Sequence, residues 1–147
     1  MANAIKWSSA ASIASALGSS LSGLSNNVSI LSSAIDNRSN RHMFSDWMLT
    51  VTYNTSPATN GRCTLYLVPS VDGTNYADCV AGSEPVNLFA GVFPLRAVST
   101  AQVLTARRVL LPPALFKVAL KNESGSAMAT GSGTNTLQYI FYDEEVQ

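Results

Sequence analysis

Few residues of this sequence have side chains suited to catalysis. His42 is the only histidine among 147 residues, and it lies between Arg41 and Met43. Nucleophilic catalysis needs a base beside the nucleophile and a third group that orients the base. Asp36 or Asp46 and many serines could supply those groups, but no Gly-x-Ser-x-Gly nucleophile elbow is present. A solvated or capping histidine explains His42 better, so we expect no catalytic residues and no enzyme activity.

Metal and cofactor sites are not indicated either. Cys63 and Cys79 have no zinc-type spacing and are too few for a disulfide framework, so we expect buried or half-buried free thiols. The other acidic residues are scattered, and the run 143–145 is expected to be a solvated tail, or a contact for a basic patch on a partner. The glycines in 131–135 lack the lysine of a phosphate loop. We therefore expect no metal and no cofactor.

The composition points to contact with other proteins. Only 12% of the residues are charged and the net charge is zero, whereas about a quarter of the residues in an average soluble domain are charged. Nucleic acid is not expected as a direct partner, because Arg107 and Arg108 are adjacent and would point to opposite faces of a strand. No apolar run is long enough to span a membrane, and the N-terminus makes a poor secretion signal, so we expect no membrane partner and synthesis in a cytoplasm.

Residues 41–147 carry patterns typical of β-strands. In "DWMLTVTYN", Trp47, Leu49 and Val51 share one face, and in "RCTLYLVPS" both faces are apolar, which predicts burial on both sides. The link "TSPATNG" between these segments is typical of a hairpin. Four further candidate strands are "VNLFAGVFPL", "AQVLTARRVLL", "LFKVALKNE" and "TLQYIFYDE".

These segments determine the expected fold class. Six or more short strands without helical patterns between them favour an all-β protein with an antiparallel, two-sheet β-sandwich. A jelly roll is the preferred version, because it packs about eight strands of this length into two sheets.

Residues 1–40 form a serine- and alanine-rich N-terminal segment, which we call the arm. Its apolar residues recur every three or four positions, the spacing of one stripe along a helix. Gly18 and Gly23 each cost a helix about 1 kcal/mol relative to alanine, so the helix would be weak alone. An extended arm with spaced apolar anchors is the alternative. The candidate partner-binding residues are Trp7 and the stripe Ile13, Leu17, Leu21, Leu24, Val28, Leu31 and Ile35.

A weak helix with an apolar stripe is typical of an arm that becomes ordered on contact. The contact is either the chain's own β domain or another subunit, and the composition leaves both open. Because aromatic and aliphatic side chains dominate interface energies, we expect the stripe, Trp7 and exposed aromatics such as Tyr142 to bind the partner. The chain therefore divides into an interaction arm or strap at 1–40 and a β-sandwich domain at 41–147.

Five segments carry a resemblance to a known family: "SSLSGLSNNVSILSSAIDN", "VPSVDGTNYAD", "FAGVFPL", "RRVLLPPALFKVALKN" and "GSGTNTLQYIFYDEE". Together they resemble small structural proteins of tailed bacteriophages, and more specifically the capsid cement (decoration) proteins of short-tailed phages. The resemblance extends over most of the chain and rests on turn and core motifs.

The resemblance implies a jelly-roll domain on the outside of the phage head. It implies contacts with the major capsid protein and with other copies of the chain, as a dimer or trimer, that stabilise the shell. Residues 12–40 match the region of subunit or shell contact. Replacing Leu21, Leu24 and Val28 by Ser is then expected to abolish decoration and leave the β domain folded.

Two other classes of protein compete with this interpretation. A tail, neck or tail-fibre component of the virion would share the β fold. A carbohydrate-binding sandwich would need Tyr66, Tyr76 or Trp47 in an exposed platform, and the inward phase of Trp47 counts against that role.

Overall fold

A computed structural model describes residues 5–77, 83–84, 88–131 and 133–146. Its regular structure in these residues is β-strand, apart from one 3-10 turn at Ser19–Leu21. The predicted all-β fold class is therefore confirmed. The strands are β1 (Ile5–Trp7), β2 (Ala14–Leu17), β3 (Ser29–Leu31), β4 (Ile35–Asp36), β5 (Phe44–Val51), β6 (Arg62–Ser70), β7 (Phe89–Pro94), β8 (Gln102–Leu110), β9 (Leu115–Glu123), β10 (Thr136–Tyr142) and β11 (Glu144–Val146).

The strands form two main sheets and a terminal ribbon. One sheet has the order β2-β10-β5-β8, and the other has the order β3-β9-β6-β7 with β4 also paired to β9. In the terminal ribbon β1 pairs with β11, and every described strand pair is antiparallel. Because one core cluster draws buried residues from both sheets, such as Trp47 and Phe116, the arrangement is that of a β-sandwich.

The alternating patterns read from the sequence agree with the burial. Trp47, Leu49 and Val51 are buried on one face of β5. In β6 both faces are buried, since Cys63 and Val68 are equally inaccessible to solvent. Residues 86–87 of the predicted strand "VNLFAGVFPL" lie outside the described residues, and β7 begins at Phe89.

The predicted hairpin between β5 and β6 is wrong. The neighbours of β5 are β10 and β8, whereas those of β6 are β7 and β9, so the link crosses from one sheet to the other. Gly61 ends this crossing where a Cβ atom would lie 3.0 Å from the carbonyl oxygens of Ala58 and Ser124. A glycine allows that close backbone approach.

The arm is built into the sandwich in an extended conformation. Its β2 pairs with β10, and its β3 and β4 pair with β9, so it supplies edge strands to both sheets. The helical interpretation is wrong, because sheet edges offer an extended chain hydrogen-bond partners that a glycine- and serine-rich helix cannot match. The three-to-four spacing arises where the arm crosses between the sheets. Leu17, Leu21 and Leu24 enter the core on this path.

Buried polar side chains hold the arm in place. The Asn122 side-chain amide donates to the Leu24 carbonyl at 2.9 Å, and its backbone N–H donates to the Val28 carbonyl at 3.1 Å. The Ser32 hydroxyl accepts a hydrogen bond from the Val118 N–H at 2.9 Å. These bonds satisfy backbone groups that burial would otherwise leave without partners.

We expect Leu21→Ala to lower the free energy of unfolding by about 2–5 kcal/mol, because it removes a fully buried side chain and leaves a cavity. Urea unfolding followed by circular dichroism measures the change. Ile13→Ala is the matched control, since Ile13 belongs to the same arm but is 57% exposed. If Leu21→Ala and Ile13→Ala were both as stable as the wild type, the arm would not be part of the core.

The burial of Leu21 and Leu24 reverses one expectation from the sequence. Replacing Leu21, Leu24 and Val28 by Ser places two hydroxyl groups in the core, because Leu21 and Leu24 are buried there. We therefore expect the sandwich of the triple variant to be unfolded. A loss of decoration by this variant would not distinguish lost partner binding from lost folding.

Candidate functional site

The eight candidate partner-binding residues do not share one face. Leu17, Leu21 and Leu24 lie in the core, and Val28 and Ile35 pack against it half-buried. Leu31 is also half-buried. Only Trp7 and Ile13 are largely exposed, at 56% and 57%. Most of the stripe is thus used within the chain itself.

His42 connects the first long strand to the C-terminal end of the chain. Its Nδ1 lies 2.8 Å from Oδ2 of Asp143, whose Oδ1 accepts a hydrogen bond from the Met43 N–H at 2.7 Å. The His42 ring also packs against Phe141, with 5.4 Å between ring centroids. In the described part of the chain no serine or cysteine side chain is hydrogen-bonded to His42. Its pair with Asp143 joins the start of β5 to the residue before β11.

The acidic run 143–145 is not the solvated tail that the sequence suggested. Asp143 is held by His42 and Met43, and the Glu144 carboxylate pairs with the Arg108 guanidinium at 2.8 Å. Glu144 also begins β11, which pairs with β1. Asp143 and Glu144 thus meet basic groups of their own chain, and Glu145 is exposed.

Arg107 and Arg108 do not alternate as neighbours in a regular strand do. Ser45 pairs with Val109 and Trp47 with Ala106, so two arginines face the single residue Asp46 in a β-bulge. Arg108 adopts a φ of +55° there, a conformation that costs a non-glycine residue on the order of 1–3 kcal/mol. The expectation of opposite faces is therefore wrong, because a bulge re-aims side chains.

The Asp46 carboxylate is the centre of this bulge. Its Oδ1 accepts hydrogen bonds from the Arg108 N–H at 2.8 Å and the Tyr142 hydroxyl at 3.0 Å, and Oδ2 accepts from Arg107 Nε at 3.0 Å. Burial by itself would raise the pKa of this carboxyl group. The hydrogen bonds from Arg108, Arg107 and Tyr142 outweigh burial, so the pKa lies below its ordinary value.

A surface pocket of about 400 Å³ opens beside Asp46. Trp7 in one wall makes edge contacts with Tyr142 at 5.4 Å and Phe44 at 6.4 Å between ring centroids. The Arg108 guanidinium lies 5.4 Å from the Trp7 ring centre. We call this site the Trp7 pocket, and its lining residues are Trp7, Ser8, Ala10, Asp46, Arg107, Arg108 and Tyr142.

A second concavity, the apolar groove, has a volume of about 550 Å³. It is lined by residues of β6, β7 and the end of β8 together with Leu88, Leu111, Pro112 and Pro113, and Arg108 is its one charged lining residue. Phe89 and Leu110 line it while 65% and 68% exposed. Large apolar side chains so exposed at a concave surface are typical of a docking site.

Sequence reasoning found only part of these two sites. It singled out Trp7 and Tyr142, which the structure brings together from opposite ends of the chain. It missed the apolar groove, whose residues come from three strands, and it missed the bulge at Arg108. A positive φ at an arginine has no sequence signal comparable to a glycine in a turn.

The cysteines, and the arrangement of the His, Asp and Glu side chains, bear on thiol and metal chemistry. Cys63 is a buried free cysteine, as predicted, and burial raises the pKa of its thiol to about 12. Cys79 lies outside the described residues. No group of three or more His, Cys, Asp or Glu within residues 5–77, 83–84, 88–131 and 133–146 is arranged to hold a metal ion.

Trp47 is buried, as its phase indicated, which removes it from the exposed platform that a carbohydrate-binding module would need. Tyr66 and Tyr76 are half-buried, and the Lys117 ammonium lies over the Tyr76 ring at 4.3 Å.

Comparison with known proteins adds no assignment, since no protein-family model matches the chain and a search of curated proteins gives no significant match. Among the residues described, no helix has the length and apolar character needed to cross a membrane.

The low pKa of Asp46 makes a pH-dependent contribution to stability. Because the folded-state pKa is depressed, the contribution is present above the unfolded-state pKa of about 3.9 and is lost as the pH falls through the folded-state value. We expect Asp46→Asn to be less stable than the wild type at pH 7 and to lose less stability between pH 5 and pH 3. Urea unfolding across this range tests it, and parallel curves for the two proteins would contradict it.

Proposed function

We propose that this protein is a capsid cement (decoration) protein that binds the outside of a phage head and bridges major capsid subunits. The observation that carries the proposal is the apolar groove with its exposed Phe89 and Leu110. The phage assignment itself rests on the resemblance of the sequence segments.

The chemistry of the groove suits a permanent protein contact. Phe89 and Leu110 supply apolar area, and Pro112 and Pro113 stiffen one wall. A groove with one charged lining residue can be desolvated at little electrostatic cost, which fits the charge-depleted centre of a protein interface. The low overall charge of the chain agrees with such a role.

The proposal includes a jelly-roll version of the β-sandwich, and the strand order supports it. If the eight sandwich strands β2, β3 and β5–β10 are numbered in sequence, one sheet reads 1-8-3-6 and the other reads 2-7-4-5. Consecutive strands change sheets except at the β6–β7 pair. Two interlocked Greek keys of a jelly roll produce this order.

Binding to a shell does not require a tight single contact. Shell symmetry presents the same site many times, and contacts to neighbouring copies convert separate binding events into one multivalent attachment. The proposed partners are the major capsid protein and other copies of this chain, as a dimer or trimer, at the virion surface. Of the eight candidate partner-binding residues, Trp7 and Ile13 have the exposure to take part.

Copy number is the first measurement. Quantitative mass spectrometry of purified virions of the phage that encodes the chain should find hundreds of copies, comparable with the major capsid protein. A dozen or fewer would assign the chain to the tail, neck or tail fibre, and absence from the particle would overturn the proposal.

The groove is tested by adding purified protein to heads that lack it. We expect Leu110→Asp to reduce co-sedimentation with the heads at least tenfold, because a charge must be desolvated at the contact. Val71→Asp is the control, since Val71 is fully exposed and does not line the groove. Undiminished binding of Leu110→Asp would remove the groove from the contact.

A further inference from the structure

We propose that the Trp7 pocket is a binding site for a neutral saccharide, which is a function separate from attachment to a shell. The site differs from the exposed platform expected of a carbohydrate-binding module, because it is built from the terminal ribbon and the bulge of β8.

The aromatic wall of the pocket, formed by Trp7, is suited to packing against a sugar ring. Trp7 remains 56% exposed, yet its ring is held by Tyr142 and Phe44, which stack on each other at 5.8 Å. Little side-chain freedom is therefore lost when a ligand packs on the indole. The C–H groups of a pyranose ring form an apolar surface that packs against such a ring, and this contact needs no charge.

The polar groups beside Trp7 are already oriented. Arg107 uses Nε to bind Asp46, and its terminal nitrogens have no hydrogen-bond partner among the described residues. The planar guanidinium can therefore donate two parallel hydrogen bonds to neighbouring hydroxyl groups. The Asp46 carboxylate is fixed in place by three donors.

The charges around the pocket favour a neutral ligand. Arg107 is paired with Asp46 and Arg108 with Glu144, so each guanidinium already has a carboxylate partner. The paired carboxylates offset the positive charge of the arginines, and the Asp46 carboxylate in the pocket lining would repel a phosphate or carboxylate ligand, whereas a neutral hydroxyl group can accept hydrogen bonds from Arg107 without that repulsion. The pocket volume of about 400 Å³ falls in the range of small-molecule sites and fits a short unit of a glycan.

The backbone supports a functional origin for the arrangement. A regular β8 would direct Arg107 and Arg108 to opposite faces. The bulge opposite Asp46, with the positive φ of Arg108, brings both arginines to the same pocket. Unfavourable backbone conformations of this kind concentrate at binding and catalytic sites.

Intrinsic fluorescence provides a direct assay, because the two tryptophans differ in environment. Trp47 is buried and Trp7 is exposed, so a ligand in the pocket should change the emission of Trp7 alone. The full chain is titrated with D-glucose, D-galactose, D-mannose, L-rhamnose and N-acetyl-D-glucosamine and with oligosaccharides of each, and saturation-transfer NMR verifies contact. We expect saturable binding of at least one neutral sugar.

Variants assign the binding to the pocket. Trp7→Ala and Arg107→Ala should weaken it at least tenfold, and Trp7→Phe should retain part of it. Val71→Ala, at a fully exposed residue outside the pocket lining, should bind as the wild type does. If Trp7→Ala is unfolded by circular dichroism, Arg107→Ala decides, because this side chain is largely exposed.

Three results would overturn the proposal: no binding by any neutral sugar, unchanged binding by both Trp7→Ala and Arg107→Ala, or stronger binding of inorganic phosphate than of sugars. The outcome is distinguishable from that of shell attachment. Leu110→Asp should bind sugar normally, and Arg107→Ala, which alters the Trp7 pocket but not the apolar groove, should still decorate heads. Loss of decoration by Trp7→Ala without any sugar binding would return Trp7 to a protein contact.

Discussion

Exclusion of water from the space between the two sheets is the constraint on which the rest of the structure depends. The long strands carry most of the apolar area, but the arm closes the core with Leu17, Leu21 and Leu24. Once these side chains are inside, the backbone that carries them must lie against both sheets. The arm therefore becomes edge strands, and its chain path follows from the burial of three leucines.

That path explains the serine- and asparagine-rich composition. A chain that crosses between sheets leaves backbone groups without strand partners, and short polar side chains can replace the missing partners. Asn122 serves this role beneath the arm, and Ser32 does so within it. The same residues that weaken a helix are thus suited to an extended, buried connection.

Arg108 joins the two surfaces to which we assign functions. It lines both the Trp7 pocket and the apolar groove, and it pairs with Glu144 of the terminal ribbon. The bulge that places it there lies in the pairing of β8 with β5, opposite Asp46. One local irregularity thereby contributes the same arginine to the Trp7 pocket and to the apolar groove.

The sequence by itself determined the fold class, because a period of two in β5 and β9 requires only that one face of each strand be buried. It also identified Cys63 as a buried thiol and Trp47 as a core residue, since composition and phase carry that information locally. Strand neighbours, the course of the arm and the two pockets were decided by tertiary structure. Apolar spacing of three to four residues satisfies a helix or a crossing strand equally well, and only the position of the second sheet selects between them. The Trp7 pocket joins residues from both chain ends and from a bulge opposite Asp46, and no local pattern encodes contacts between positions so far apart in the sequence.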